Sequence, residues 1–318
     1  MAILGTRFDD FDLEREVLGD VELSVGAGRD RDEILEVALG ADLILAGAAP
    51  RFDAETLDRL GCRAIVRLGV GVDSIDLEAA RRLGMWVSHV PDYGTEAVAL
   101  HAVTLALAAV RRLPMADRDI RGGSWGFSAL IPLHLPAALT VGVIGYGRIG
   151  RRVVEMLQGV GFPTFLIHDP FIGPESLLPG HRLCSFDETL AEADLLTLHA
   201  PPPGDGHLIG AAELATMREG SIVVNSARGR LIDTVALVAA LQRGRPAVAA
   251  LDVFEQEPPD MSSLQAAGDR LILTPHMSWY TEETIIDLRR EGAAEARRIL
   301  SGEQPANPVV TPEEATTR

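Results

Sequence analysis

The chain of 318 residues is too long for one small domain and comfortable for two, and its 47% apolar content allows a sizeable core. Its formal net charge of −17 excludes the basic footprint of a nucleic-acid-binding protein, and no apolar stretch reaches the ~18 residues that cross a bilayer. Two cysteines, Cys62 and Cys184, exclude a disulfide framework and give no metal-site spacing, which points to a reducing cytoplasm.

The N-terminus, MAILGTRFDDFD, has neither the basic nor the long apolar region of a signal peptide. From there, short apolar runs alternate with helical patterns, the signature of parallel sheets joined by crossover helices. The first predicted strands are Ala2–Leu4, Asp42–Leu45, Ala64–Leu68 and Trp86–Ser88. Helices are predicted between them around Arg31–Leu39, Ala54–Leu60 and Leu77–Leu83. Glu96–Leu113 reads as one long apolar helix. A second series of strands follows at Thr140–Ile144, Thr164–His168, Leu195–His199, Ser221–Val224, Ala247–Leu251 and Leu271–Leu273. Continuous apolar strands of this kind are expected to be buried on both faces. Glu282–Leu300 reads as a further helix, capped by Thr281, with Glu282 and Glu283 at its positive end and Gly302 closing it. The fold class is therefore α/β, with two parallel-sheet domains. The two long helices are expected to link them, dividing the chain into residues 1–97 with 282–318 and residues 98–281. There are no internal repeats, and the tail after Pro308 is expected to fray.

Two strand–glycine–helix turns stand out. VGVIGYGRIGRRV places Gly145, Gly147 and Gly150 in the G-x-G-x-x-G spacing, with Arg148 and Ile149 opening the helix. The first glycine permits the tight turn, the second lets a pyrophosphate approach the backbone, and the third lets helix and strand pack closely. The next strand ends in Asp169, about 20 residues on, where an acid meets the adenosine ribose 2′-hydroxyl. A carboxylate there repels a 2′-phosphate, and FIGPESLLPG offers no arginine to hold one, so NAD is expected over NADP. The other turn, RLGVGVDSID, has Gly69 and Gly71 but Ser74 in place of a third glycine, and its next strand ends in Ser88-His89. It fails as a dinucleotide site. The Val70 and Gly71 N–H groups still suit a small anion, and Arg67 precedes them. On local grounds Arg67 reads equally well as an ordinary ion pair.

Three strand ends of the second series carry chemistry. VVNSARGRLID offers Arg228, AALDVFEQEP offers Asp252 and Glu257, and LTPHMSW offers His276. Ligands of open α/β sheets bind outside the carboxyl ends of strands. Reduction of a 2-keto acid needs a cation for the carboxylate and carbonyl, a proton donor for the developing alkoxide, and a carboxylate to orient that donor. An arginine, a carboxylate and a histidine at adjacent strand ends fill those roles. In isolation each residue reads as a packed histidine, a loop cap or a solvated acid. Downstream of a full dinucleotide turn, the set reads as catalytic.

VRLGVGVDSID, VGVIGYGRIG with HDP, VNSARGRLID, ALDVFEQEP and TPHMSW occur in the order found in D-isomer-specific 2-hydroxyacid dehydrogenases, and the chain resembles that family over nearly its whole length. The resemblance implies a Rossmann dinucleotide-binding domain inserted in a flavodoxin-like substrate domain, with a cleft between them and a homodimer built on the nucleotide domains. It implies Arg228, Glu257 and His276 as catalytic residues. It adds His199, Ala200, Pro201, Ala227, Asp252 and His276 to the cofactor site, with Asp252 at the nicotinamide. VPDYGTEAVALH and PHMSWYTEETIIDLRRE resemble the branch around the C-terminal-binding proteins. That likeness implies that Arg67 contacts the substrate carboxylate and that Trp279 lines the substrate pocket, beside Val70, Gly71 and Arg228.

Some positions depart from the pattern. Leu100 stands where the branch usually has an acid, and HAPPPGDGHLIG is about one residue short and lacks the common threonine. ILAGAAPRF places Ala48 and Ala49 where relatives with phosphorylated substrates place an arginine, which argues against phosphoglycerate. The expected function is NAD-dependent interconversion of D-2-hydroxy and 2-keto acids, without a metal, nucleic acid or membrane as partner. Two other readings are an NAD(H)-sensing corepressor-like dimeric scaffold and a related dehydrogenase of another small anion, such as formate or phosphite.

Overall fold

The computed structural model describes residues 1–6 and 8–312. They fall into two compact units, Met1–Gly94 with the chain from Thr281 onward, and Thr95–Tyr280.

The first unit alternates strands and helices: β1 (Ala2–Leu4), α1 (Asp12–Leu18), β2 (Ser24–Gly26), α2 (Arg31–Ala38), β3 (Leu43–Ala46), α3 (Ala54–Leu60), β4 (Ala64–Arg67), α4 (Leu77–Arg82) and β5 (Trp86–His89). Asp30, Asp53 and Asp76 cap α2, α3 and α4, each accepting an N–H three residues on. Among the described residues the parallel strands lie in the order β2-β1-β3-β4-β5, which is the flavodoxin order. β1 and β3 are buried throughout, as continuous apolar runs require. The unit is completed by α12 (Glu282–Leu300) and β13 (Pro308–Val310). Pro308–Val310 does not fray. It pairs antiparallel with β5, while the chain from residue 313 lies outside the described residues. Buried Glu295 fastens this edge, accepting from Ser88 Oγ at 2.7 Å and from the Ala306 N–H at 3.1 Å.

The second unit opens with α5 (Thr95–Val110) and α6 (Leu113–Arg121). The helix expected over Glu96–Leu113 ends earlier, at Val110, and a second helix not read from the sequence begins at Leu113, bent from it by 59°. Arg112 takes a φ of 51°, a left-handed conformation that stops the first helix. Among the described residues, no single helix is long and apolar enough to cross a membrane. The sheet elements are β6 (Thr140–Ile144), α7 (Arg148–Gly159), β7 (Thr164–His168), β8 (Arg182–Leu183), α8 (Phe186–Glu192), β9 (Leu195–Leu198), α9 (Ala211–Thr216), β10 (Ile222–Asn225), α10 (Thr234–Gln242), β11 (Val248–Leu251), α11 (Met261–Leu264) and β12 (Leu271–Leu273). Described strands lie in the order β12-β11-β10-β9-β6-β7-β8, all parallel. Strand order reverses between β6 and β9, so a crevice opens at their carboxyl ends. One apolar layer packs α5 and α7 on the sheet through Val103, Ala106 and Leu157. The other packs α8 to α10 through Leu190, Leu214 and Leu237.

Candidate active site

The turn after β6 has three glycines with three different reasons. Gly145 has φ +90°, and a Cβ there would lie 2.7 Å from the His199 carbonyl carbon. A Cβ on Gly150 would overlap the Gly145 carbonyl oxygen. Both are required by the fold itself. Gly147 is not, because a Cβ there would meet nothing within 4 Å. Gly147 is also the N-cap of the 12-residue α7 and gives it no side-chain cap. A glycine that no protein atom demands, at a helix N-terminus, fits a pyrophosphate that must approach the backbone. Arg148 is exposed and Ile149 half-buried in this first turn. Asp169, just past β7, accepts the Tyr146 N–H at 2.8 Å and the Phe171 N–H at 2.9 Å. Its carboxylate is thereby tied to the glycine turn, where the acid that meets a ribose belongs. These residues fit NAD.

His199 follows β9, its N–H bonded to the Ile144 carbonyl at 2.7 Å and its Nε2 2.9 Å from Thr197 Oγ1. Burial pushes its imidazole down to about 4, so it is neutral near pH 7. Ala200 and Pro201 follow it in the loop after β9.

The neighbouring strand ends form one connected chain of contacts. Asn225, the last residue of β10, donates from Nδ2 to the Arg228 carbonyl at 2.8 Å and accepts the Ala227 N–H at 3.0 Å. Arg228 also donates from Nη1 to the Ala227 carbonyl at 2.8 Å. A Cβ on Gly229 would overlap the Phe254 carbonyl, so this loop packs directly on the one that follows β11. The Phe254 N–H reaches Glu257 Oε1 at 3.0 Å, and Glu257 Oε2 lies 2.6 Å from His276 Nδ1. Burial pushes the Glu257 carboxyl up. The hydrogen bonds from His276 and the Phe254 amide outweigh it and leave the group below its ordinary value. Glu257 is therefore an ionised acceptor, and it fixes which His276 nitrogen faces away.

His276 has φ 51°, rare for a residue with a Cβ. The loop that holds it is heavily bonded. Its N–H donates to the Asp252 carbonyl at 2.8 Å, and Trp279 Nε1 donates to its carbonyl at 3.0 Å. Fully buried Asp252 accepts Thr274 Oγ1 at 2.6 Å and the Met277 and Ser278 N–H groups at 3.0 and 2.9 Å. Burial pushes this carboxyl up, but bonds from His101, Thr274 and the two amides hold it at about 2. The structure thus ties Asp252 to the backbone that presents His276.

Arg228, Glu257, His276, Asp252 and Trp279 are brought together within the second unit. Arg67, Val70 and Gly71 belong to the first. There Arg67 Nη1 folds back to the Leu68 carbonyl, Val70 is exposed, and its carbonyl accepts His89 Nδ1 at 2.7 Å. Sequence reasoning missed Asn225, Gly229, Thr274 and His101. One signal for His101 was present, since it is the lone ionisable residue between Glu96 and Arg111 in a mostly apolar helix.

A family model for the NAD-binding domain of D-isomer specific 2-hydroxyacid dehydrogenases matches residues 103–278. The D-3-phosphoglycerate dehydrogenase of Archaeoglobus fulgidus is 35% identical over 84% of this chain and 51% of its own length. The chain thus spans about half the length of the curated phosphoglycerate dehydrogenases it matches. The glyoxylate reductase of Aeropyrum pernix is 35% identical over 87% of this chain and 85% of its own length. A solved structure of D-lactate dehydrogenase from Aquifex aeolicus, complexed with NAD and lactic acid, has a TM-score of 0.88 at 28% identity. It covers 98% of this chain and 99% of that one.

Proposed function

The chain belongs to the D-isomer-specific 2-hydroxyacid dehydrogenase family, and on that premise we propose that it interconverts an unphosphorylated D-2-hydroxy acid and its 2-keto acid. The observation that carries this reading is the His276–Glu257 pair, Nδ1 to Oε2 at 2.6 Å, joined through the Phe254 loop to Arg228. NADH, when bound, supplies the hydride for the substrate's C2. His276 gives the proton from Nε2 to the carbonyl oxygen as that oxygen gains charge, and in the oxidising direction it takes the proton back. Glu257 accepts the Nδ1–H and stabilises the charged ring while Nε2 exchanges its proton. Arg228 holds the carboxylate and polarises the carbonyl with its planar fork. Arg67 and the Val70 and Gly71 N–H groups are assigned to substrate binding in the first unit. Asp252 is assigned to the nicotinamide side through the loop it holds. Trp279 is assigned to the pocket wall, which suits an apolar or sulfur-containing substrate side chain.

We assign to the first unit the share of substrate binding that Arg228 and Trp279 do not carry. The relatives are named for phosphoglycerate, glyoxylate and lactate. Ala48 and Ala49, exposed after β3, offer no cation to a phosphate, which favours an unphosphorylated acid. VPDYGTEAVALH and PHMSWYTEETIIDLRRE favour the branch around the C-terminal-binding proteins. A cytoplasmic setting, which keeps free Cys62 and Cys184 reduced, accords with this chemistry. A homodimer through the NAD-binding unit is supported by its exposed Trp125, Phe127, Ile131 and Leu135.

The test is an NADH-oxidation screen over 2-keto acids of graded size and charge, with a phosphorylated acid included and NADPH as the alternative cofactor. Turnover of an unphosphorylated acid with NADH is expected. A preference for the phosphorylated acid overturns the substrate reading. No turnover at all overturns the enzyme reading and favours a ligand-sensing scaffold.

A further inference from the structure

α5 sends one polar side chain into the site, and it is His101. Thr274 Oγ1 donates its hydrogen to Asp252 Oδ1 at 2.6 Å. Its oxygen is then the acceptor for His101 Nε2 at 3.0 Å, which assigns the hydrogen of that ring to Nε2. The same nitrogen lies 3.5 Å from Asp252 Oδ1. Asp252 in turn collects three successive N–H groups, that of His276 on its carbonyl and those of Met277 and Ser278 on its carboxylate. These bonds bracket the residue whose φ is 51°. Such a conformation persists only where the surroundings over-determine it. The far end of the relay is rigid, because α5 packs against β10, β11 and α7.

We propose that His101 is a positioning residue for proton transfer. Acting from α5 through Thr274 and Asp252, it holds the 276–278 loop in the left-handed turn that aims the His276 imidazole at Glu257. Its hydrogen-bond and ion-pair partners are Thr274 and Asp252, so it acts through the loop. The inference rests on the reading of His276 as the proton donor. A plain structural role, in which His101 merely fills space beside Asp252, predicts that any side chain of similar bulk would serve.

The experiment compares His101→Phe, His101→Gln, Thr274→Val and the double variant His101→Phe/Thr274→Val with the wild type. Three readouts are taken: kcat and KM, NADH affinity, and amide hydrogen exchange at Met277 and Ser278. The indole N–H resonance of Trp279, one of three tryptophans, reports the same loop. His101→Phe and Thr274→Val should each lower kcat about tenfold, as misplacement of a reacting group does. NADH affinity should fall less than kcat, because the glycine turn is untouched. Exchange at Met277 and Ser278 should quicken in both. His101→Gln keeps an N–H donor and should restore kcat and slow exchange. The double variant should be no worse than the worse single one, as members of one relay are not additive. Wild-type kcat and exchange in His101→Phe, or equal damage in His101→Gln, overturn the proposal. Should His101→Phe not fold, Thr274→Val removes one hydroxyl and decides by the same outcomes. Should the wild type reduce no 2-keto acid, the His276 assignment fails, while exchange at Met277 and Ser278 still decides whether His101 holds the loop.

Discussion

Asp252 and His276 divide the work of the site between charge and geometry. His276→Ala removes the proton donor but none of the residues of the glycine turn. We expect kcat to fall by ~10² or more with NADH affinity nearly unchanged, measured by steady-state kinetics beside a fluorescence titration. Turnover that survives the change removes His276 from the mechanism. Asp252 has a measurable signature of its own. Its carboxyl is held at about 2 in the fold against an ordinary 3.8, so it stabilises the folded protein above about pH 4 and loses that contribution as pH falls toward 2. The shift corresponds to about 2 kcal/mol. Asp252→Asn should therefore melt below the wild type at pH 7, and the gap between the two melting temperatures should narrow from pH 5 to pH 3. A gap that stays constant over that interval would show that the charge itself contributes nothing.

Among the elements, the strand-end rule carried most of what the sequence could tell. Continuous apolar runs such as Ile222-Val223-Val224 and Val248–Leu251 announce buried parallel strands, and ligands gather at their carboxyl ends. Arg228, Glu257 and His276 were legible for that reason. Pro308–Val310 was not, because a three-residue edge strand has too little pattern to register. α6 was hidden too, since Pro114 reads as the end of a helix at Leu113, whereas it stands in the first turn of a new one, where its missing N–H costs nothing. Thr274 and His101 escaped because their meaning lies in a contact between residues 173 positions apart. The glycine turn allows a sharper test of how an element is read. Gly147→Ala adds a methyl group that meets no protein atom, so its melting temperature should stay within about 3 °C of the wild type. NADH affinity should drop about tenfold if pyrophosphate approaches there. Gly150→Ala drives the same methyl group into the Gly145 carbonyl and should lower the melting temperature by several degrees. Calorimetry and NADH titration of the pair decide it, and unaltered NADH binding in Gly147→Ala would remove the phosphate from that position.

For the whole molecule, charge and exposed apolar surface pull in opposite directions. A net charge of −17 keeps copies of the chain apart at low ionic strength. Yet the segment between α6 and β6 leaves Trp125 94% and Phe127 72% exposed, with Ile131 and Leu135 also open and Leu113 and Ile120 exposed on α6 itself. Monomers rarely leave so many large apolar side chains in water on one stretch of chain. A twofold interface, in which the same segment meets its copy, covers them with the fewest distinct contacts. Light scattering after size exclusion should accordingly give twice the chain mass. Added salt should strengthen the association, because it screens the like charges and leaves the apolar term intact. Trp125→Glu combined with Phe127→Glu places two carboxylates in the contact and should yield monomers at micromolar concentration. The glycine turn and the His276–Glu257 pair contain neither residue, so NADH binding should survive in those monomers. A wild type that is monomeric at every salt concentration would mean that these aromatic side chains serve some other partner.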